Sequence, residues 1–375
     1  MKVCLISVEI FAWGKYGGFG QATRMIGREL AKRGIDVTAV VPRRQGQSPI
    51  ENLDGITVLG FEPNNFLSSA GLFRKADADI YHSQEPSFGT YLAMRAMPDR
   101  SHIVTFRDTR NARDWRTELS LPSISALQVI SNWLYEDNWL VHRAVRRADG
   151  RFAAAQLLIS KARSKYHLRS DPVFLPSPVS IPIKVEKAVE PTVCYFSRWD
   201  RRKRPELFFE LIKEFPKVHF LAAGKSRDKE WDQYLRTKYG QLPNLEMMDF
   251  IDQFESDQLS SLIGKSWIMV NTAAREGLPH VFIEAAAHRC AILSAVDPDG
   301  FASQFGYHAS QDNFAQGLEV LLQNDHWVQY AQRGYDFVNA TFACDKAIDE
   351  HLAVYERIGS GRGIHVPDEA RIHSG

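Results

Sequence analysis

Cysteine, net charge and long apolar runs are all scarce in this sequence, and each scarcity removes a class of protein. The four cysteines, Cys4, Cys194, Cys290 and Cys344, lie far apart and form no Cys-x-x-Cys pair. That argues against a zinc ribbon or a dithiol redox motif and for free thiols in a reducing compartment. The formal net charge is +1 over 375 residues, so nothing in the total marks a nucleic-acid binder. No stretch approaches the roughly 20 apolar residues of a membrane-spanning helix. The apolar run at 3–8 is short, is broken by Glu9 and precedes no small-residue cleavage site, so it reads as a buried strand rather than a signal peptide. A cytoplasmic location is expected. The dinucleotide fingerprint is missing as well, because Gly18-x-Gly20 is followed by Thr23 where the last glycine belongs.

What is present is an ordinary globular composition, 44% hydrophobic and 24% charged, in a chain long enough for two domains. The strand at 3–8 leads into a loop with Gly14, Gly17, Gly18 and Gly20. Ala22, Met25, Ile26 and Leu30 then recur at helical spacing, Gly34 sits at a helix C-cap, and 36–41 is a strand again. This β-loop-α-β start predicts a parallel sheet and the α/β class. Strands are expected at 56–59, 80–82, 102–106, 152–154 and 173–175. A single long helix is expected over 124–148, with an apolar stripe of Leu127, Ile130, Leu134, Val141 and Val145. The proline-rich stretch 176–191 reads as a linker. After it the pattern restarts, with strands at 193–197, 218–223, 245–248, 268–271 and 292–295. The expected divisions are a first domain at 1–178, a second at 192–344, a helix at 345–358 that returns to the first, and a flexible tail at 359–375.

Two doubly wound domains bind ligands at the carboxyl ends of their strands. Three motifs fall there. The glycine loop offers backbone N–H groups to an anion at a helix N-terminus, or is a plain tight turn. The second motif, Ser197-Arg198-Trp199-Asp200-Arg201-Arg202-Lys203-Arg204, is five-eighths basic and suits a diphosphate, or is a solvated turn. The third runs from Asn271 through Arg275-Glu276-Gly277-Leu278-Pro279 into a helix carrying Glu284. Gly277 and Leu278 would turn backbone N–H groups toward a ligand. Glu284, in an apolar helix, needs a donor such as ribose hydroxyls or a structural partner.

Together these residues resemble the family 4 retaining glycosyltransferases of the GT-B fold, over nearly the whole chain. The matching positions are Gly17-Gly18 with Leu30-Ala31-x-x-Gly34 and Val37, Asp79-x-x-His82, Arg198 with Lys203, and Glu276 with Glu284. The resemblance implies two Rossmann-like domains facing across a cleft. It implies transfer of a sugar from a nucleotide diphosphate sugar, with retention, to a glycan, lipid-linked or small-molecule acceptor. Arg198 and Lys203 would hold the diphosphate and stabilise the leaving nucleotide, so no metal or other cofactor is expected. Glu276 would contact sugar hydroxyls and Glu284 the ribose. Gly17 and Gly18 would face the phosphate and the acceptor.

This chain departs from the family pattern at Gln84 and Arg107, where histidines are usual. It also departs at Ser177-Pro178, where Asn-Gly is usual, and at Arg289, where a glycine is. Arg107, Arg110, Arg113 and Arg116 recur every third residue and are read, with His82, as an acceptor-side group for an acidic acceptor; Asp108, Asp114 and Glu118 would otherwise neutralise them. Residues 101–170 hold twelve Lys/Arg against six Asp/Glu, and Trp133, Trp139, Arg143, Arg146 and Arg147 fall on the expected long helix, which reads either as peripheral contact with an anionic membrane or as an ordinary helix with a solvated basic end. The competing readings are a sugar-nucleotide epimerase of the same architecture and a non-catalytic sugar-nucleotide binding protein. A metal-dependent transferase using Asp77-x-Asp79 is disfavoured, because that pair precedes its strand.

Overall fold

The computed structural model describes residues 1–14, 16–121 and 125–360. Its chain forms two compact units. The first holds β1 (Lys2–Ile6), β2 (Asp36–Pro42), β3 (Ile50–Leu53), β4 (Ile56–Phe61), β5 (Ile80–Ser83), β6 (Ser101–Phe106), β7 (Gly150–Ala153) and β8 (Val173–Phe174). The second holds β9 (Thr192–Phe196), β10 (His219–Ala223), β11 (Leu245–Met248), β12 (Ile268–Asn271), β13 (Ala291–Ser294) and β14 (Gly306–His308). The helices run in chain order as α1 (Gly18–Lys32), α2 (Ser69–Ala76), α3 (Phe88–Ala96), α4 (Ala112–Ser120), α5 (Ala126–Glu136), α6 (Trp139–Arg147) and α7 (Gln156–Tyr166). They continue as α8 (Pro205–Glu214), α9 (Lys229–Tyr239), α10 (Gln258–Lys265), α11 (His280–Ala287), α12 (Phe301–Gln304), α13 (Phe314–Leu322), α14 (His326–Thr341) and α15 (Cys344–Gly359).

The strand order of the first sheet is β3-β4-β2-β1-β5-β6-β7-β8, and that of the second is β11-β10-β9-β12-β13-β14. All pairings are parallel except β3 with β4, a short antiparallel edge absent from the sequence reading. β1 is apolar and buried apart from the exposed Lys2, and β9 is buried throughout and apolar apart from Thr192, as strands covered by helices on both faces must be. The chain order reverses between β1 and β5 in one sheet and between β9 and β12 in the other. Such reversals leave a crevice at the carboxyl ends, where the connections diverge to opposite faces. The loops after β9 and β12 therefore meet, and those are the loops that carry the basic run and Glu276. Tyr195, Phe208, Phe209, Phe220 and Tyr239 fill the core beneath them.

Two expectations need correction. The helix expected at 124–148 is two helices, and its first residue lies outside the described residues. Asn138 makes the break: its Oδ1 accepts from the N–H groups of Leu140 (2.9 Å) and Val141 (3.2 Å), while its Nδ2 donates to the Leu134 carbonyl at 2.8 Å. One side chain thus caps the start of α6 and holds the end of α5. The expected apolar stripe divides accordingly. Val141 and Val145 are buried, whereas Leu127, Ile130 and Leu134 are exposed by 81%, 42% and 64%.

The second correction concerns the units. Arg110–Trp133 belongs to the second unit, not to a first domain continuous over 1–178. The cause is a set of ion pairs from α4, described below. The described residues from Asp345 to Ser360 group with the first unit, and most of the tail expected at 359–375 lies outside the described residues.

Candidate active site

The turn after β9 is anchored by its non-basic members. Trp199 and Asp200 are buried, and the Trp199 N–H donates to the Lys225 carbonyl. The basic side chains splay outward from that anchor, and each meets a carboxylate. Arg198 lies 3.4 Å from Asp200, Arg201 3.5 Å from Asp228, and Arg202 3.0 Å from Glu118. Arg204 grips Asp312 with two bonds of 2.7 and 2.9 Å. Lys203 pairs with Glu276. The run is therefore neutralised residue by residue and is not a diffuse cationic patch.

The loop after β12 is stitched to this turn. Thr272 Oγ1 donates to the Lys203 carbonyl (2.7 Å), Arg204 Nε to the Thr272 carbonyl (2.7 Å), and the Ala274 N–H to the Arg202 carbonyl (3.0 Å). These bonds bring Lys203 and Glu276 together across 73 residues of sequence. Burial pulls the Lys203 ammonium below its ordinary pKa, and the Glu276 carboxylate opposes that fall. Gly277 and Leu278 are half-buried in the same loop. Pro279, at φ −64°, occupies the N-cap of α11, where a missing N–H costs nothing. Glu284 lies on the second turn of α11, mostly buried, with His280 Nδ1 3.5 Å from its carboxylate. Arg289 closes the helix at φ +57°, which explains why a glycine is usual there. Its guanidinium stacks 3.7 Å from the Tyr335 ring, which offsets part of the strain.

In the first unit, the glycine loop holds the chain's own anion. Glu9 is buried, and its Oε1 accepts from the Gly20 N–H at 3.2 Å, at the N-terminus of α1. A Cβ on Gly17 would stand 2.1 Å from that oxygen, and one on Gly20 would stand 2.8 Å from the Phe11 nitrogen. Internal packing therefore accounts for both glycines. A Cβ on Gly18 would meet nothing within 4 Å.

His82 has both ring nitrogens engaged, Nδ1 with Tyr355 (2.8 Å) and Nε2 with Thr105 (2.7 Å). Burial drives its pKa well below the usual value, with His351 and Arg107 adding to the fall. This is a neutral core histidine, and the acceptor-side expectation for it finds no open face. Arg107 is likewise buried. Its guanidinium donates to Ser177 Oγ and, at 2.7 Å, to Gln84 Oε1. Three of the departures from the family pattern, Gln84, Arg107 and Ser177, thus form one hydrogen-bonded cluster. Burial lowers the Arg107 pKa to about 10, against the pull of Glu85.

The expected arginine stripe does not form. Arg107 follows β6, Arg110 lies before α4 with its guanidinium 4.7 Å over Trp115, and Arg113 and Arg116 alone share an exposed helical face. Asp114 and Glu118 point elsewhere. Asp114 Oδ1 lies 2.8 Å from Arg275 Nε in an ion pair, and Glu118 pairs with Arg202 and, at 3.6 Å, with Arg275. Sequence reasoning missed these contacts together with Glu9, His351 and Tyr355, since nothing in local spacing announces a partner so distant along the chain.

Comparison of the sequence with curated proteins gives no match. Residues 180–331 match the family of glycosyl transferases group 1, and residues 17–176 match the glycosyl transferase 4-like domain. Among solved structures, sucrose-phosphate synthase from Thermosynechococcus elongatus superposes with a TM-score of 0.73 at 14% identity, covering 96% of this chain and 99% of that one. HepE from Anabaena, in complex with UDP-glucose, gives 0.69 at 14% identity over 94% of this chain and 100% of that one. The catalytic domain of starch synthase IV from Arabidopsis thaliana, bound to ADP and acarbose, gives 0.64 at 11% identity over 96% and 99%. With one glycosyltransferase domain matched in each half and the two-sheet architecture of these structures, the chain belongs to the glycosyltransferases of the GT-B fold.

Proposed function

We propose that the protein transfers a hexosyl group from a nucleotide diphosphate sugar to a glycan or lipid-linked acceptor, with retention at the anomeric carbon and without a metal ion. The observation that carries this reading is the Lys203–Glu276 pair beside Arg198, built by two loops that meet at the chain reversal of the second sheet. Lys203 and Arg198 bind the diphosphate and stabilise charge on the departing nucleotide, work that a metal would otherwise do. Glu276 accepts from donor-sugar hydroxyls. Glu284, held by His280, accepts from the ribose. The N–H groups of Gly277 and Leu278 face the phosphates, and Gly17 and Gly18 keep the phosphate- and acceptor-facing role that the family resemblance implies. On the acceptor side Arg110 and the exposed Arg113 receive an acidic group, while Arg107 and His82 shape the ends of β5 and β6 from within. The UDP-glucose held by HepE supports a nucleotide sugar as donor.

Thermal-shift screening against nucleotide diphosphates and their sugars tests the donor. A ligand at 100 times its Kd stabilises by about 2.7 kcal/mol. Proton NMR of the product then reads the anomeric configuration, with chelator present. Arg198→Ala or Lys203→Ala should each cost about ten- to a hundredfold in kcat/KM, from charge-assisted bonds of roughly 1.5–3 kcal/mol. Wild-type turnover and affinity in both variants would remove the assignment.

Among the described residues no helix is long and apolar enough to cross a membrane. A cytoplasmic enzyme in peripheral contact with an anionic bilayer fits the surface of α6. There Trp139, 68% exposed, shares a face with the exposed Arg143 and Arg146, and Val141 and Val145 form the buried side. Co-sedimentation with phosphatidylglycerol vesicles at low salt tests this, and absence of binding there refutes it.

A further inference from the structure

We propose that α4 is a positioning element for the donor loops, acting through Asp114 and Glu118 on Arg275 and Arg202; the inference rests on the donor-site reading above. The chain enters α4 from β6 but packs it with the second unit. Asp114 and Glu118, one helical turn apart, present two carboxylates on one face. Asp114 is doubly committed. Its Oδ2 accepts from the Asn111 N–H (2.9 Å) in the capping box of α4, which orients Oδ1 toward Arg275 Nε at 2.8 Å. Glu118 Oε1 lies 3.0 Å from Arg202 Nη1 and 3.6 Å from Arg275 Nη1, so a single oxygen is in ion-pair range of both guanidinium groups. All four side chains are only 9–14% exposed. Charges so poorly solvated hold position far more strictly than a surface pair does.

The placement of the two arginines turns this cluster from a fastening into a positioning device. Arg202 immediately precedes Lys203, and Arg275 immediately precedes Glu276. Their loops share the bond from the Ala274 N–H to the Arg202 carbonyl. Without the two carboxylates, two cations would face each other across that junction, one residue from the diphosphate and sugar contacts. With them, the junction is neutral, and each arginine's aim is fixed by a helix. That helix is itself anchored by the buried Trp115, stacked on Trp133 at 6.0 Å. Arg113 and Arg116 lie on the other face of α4 and take no part.

The division of contacts predicts a division of effects. Asp114 pairs with Arg275 on the Glu276 side, so Asp114→Asn should lower kcat at least tenfold while nucleotide diphosphate Kd stays within threefold. Glu118 touches both sides, so Glu118→Gln should lower kcat and also weaken nucleotide diphosphate binding about tenfold. Glu118→Gln combined with Arg202→Gln removes the uncompensated cation and should recover binding to within threefold of wild type. Glu118→Asp keeps the charge but withdraws it by one methylene; it should fold normally and still lose severalfold in affinity. Kinetics are read per nucleotide-binding site, with melting temperature recorded in parallel. Unchanged kinetics in Glu118→Asp, strictly additive losses in the double variant, or losses that only track the unfolded fraction would overturn the positioning role and leave the donor site standing. A wild-type protein that binds no nucleotide diphosphate would overturn both.

Discussion

Glu276→Gln has an unusual expected outcome: free nucleotide diphosphate should bind more tightly while catalysis collapses. In the unliganded protein the Lys203 ammonium is committed to Glu276, and the two side chains are only 15% and 12% exposed. A diphosphate must compete with that carboxylate for Lys203 and then sit beside its negative charge. A charge-assisted hydrogen bond of this kind is worth roughly 1.5–3 kcal/mol net. The amide keeps an acceptor oxygen in place but drops the charge, so about 1–2 kcal/mol of that competition disappears. At 1.4 kcal/mol per decade this is roughly a five- to thirtyfold tighter Kd. Transfer, which needs the carboxylate on donor-sugar hydroxyls, should fall by about a hundredfold or more, a cost of roughly 2.7 kcal/mol or above in the transition state. Isothermal titration with the nucleotide diphosphate, against steady-state transfer from the nucleotide sugar, separates the two effects. Binding of free nucleotide diphosphate weakened more than threefold would refute the competition between Glu276 and phosphate for Lys203.

Other perturbations test the supporting structure. Lys187 reaches from the linker to the carbonyls of Ser266 and His288 (2.8 Å), the C-caps of α10 and α11. Lys187→Met should therefore cost about 2–4 kcal/mol, roughly 5–10 °C in Tm, by calorimetry. Burial raises the pKa of Glu85 to about 7, against two backbone N–H donors, from Arg107 and Asp108. Its folded pKa exceeds the unfolded one, so its stabilising effect is complete below about pH 4.5 and is lost as pH rises through about 7. Glu85→Gln should then gain about 1–3 kcal/mol over wild type at pH 8, and the gain should vanish near pH 4.5 in denaturant titrations. Gly17→Ala should destabilise by about 1–2 kcal/mol because it displaces the Glu9 cap, whereas Gly18→Ala should leave stability unchanged and lower kcat/KM. Equal melting curves for wild type and Gly17→Ala would contradict the packing described for Glu9.

Most of the framework was open to inspection in the sequence. Apolar runs of strand length, each followed by a helical period, reported the alternating α/β order, because period and burial are local properties of a chain. The terminators were local too: Gly34, at φ +79°, ends α1, and Pro279 opens α11 as expected. The placement of Arg198, Lys203 and Glu276 after strands followed from the same order. The break at Asn138 was also written locally, but a polar residue inside an apolar stripe reads as helix interior until its side chain is seen bonding to both helix ends.

What remained hidden was everything set by distant partners. The basic run after β9 looked like free positive charge, yet its carboxylates come from Glu118, Asp228, Glu276 and Asp312 as well as from neighbouring Asp200. The arginines from Arg107 to Arg116 looked like one series. Tertiary packing sent the first into the core beside Gln84 and Ser177, laid the second over Trp115, and left Arg113 and Arg116 in solvent. Spacing along a chain fixes which residues share a strand or a helical face. Which charge meets which is decided only when the sheets close, because Coulomb energy and desolvation depend on distances in space that sequence separation does not encode.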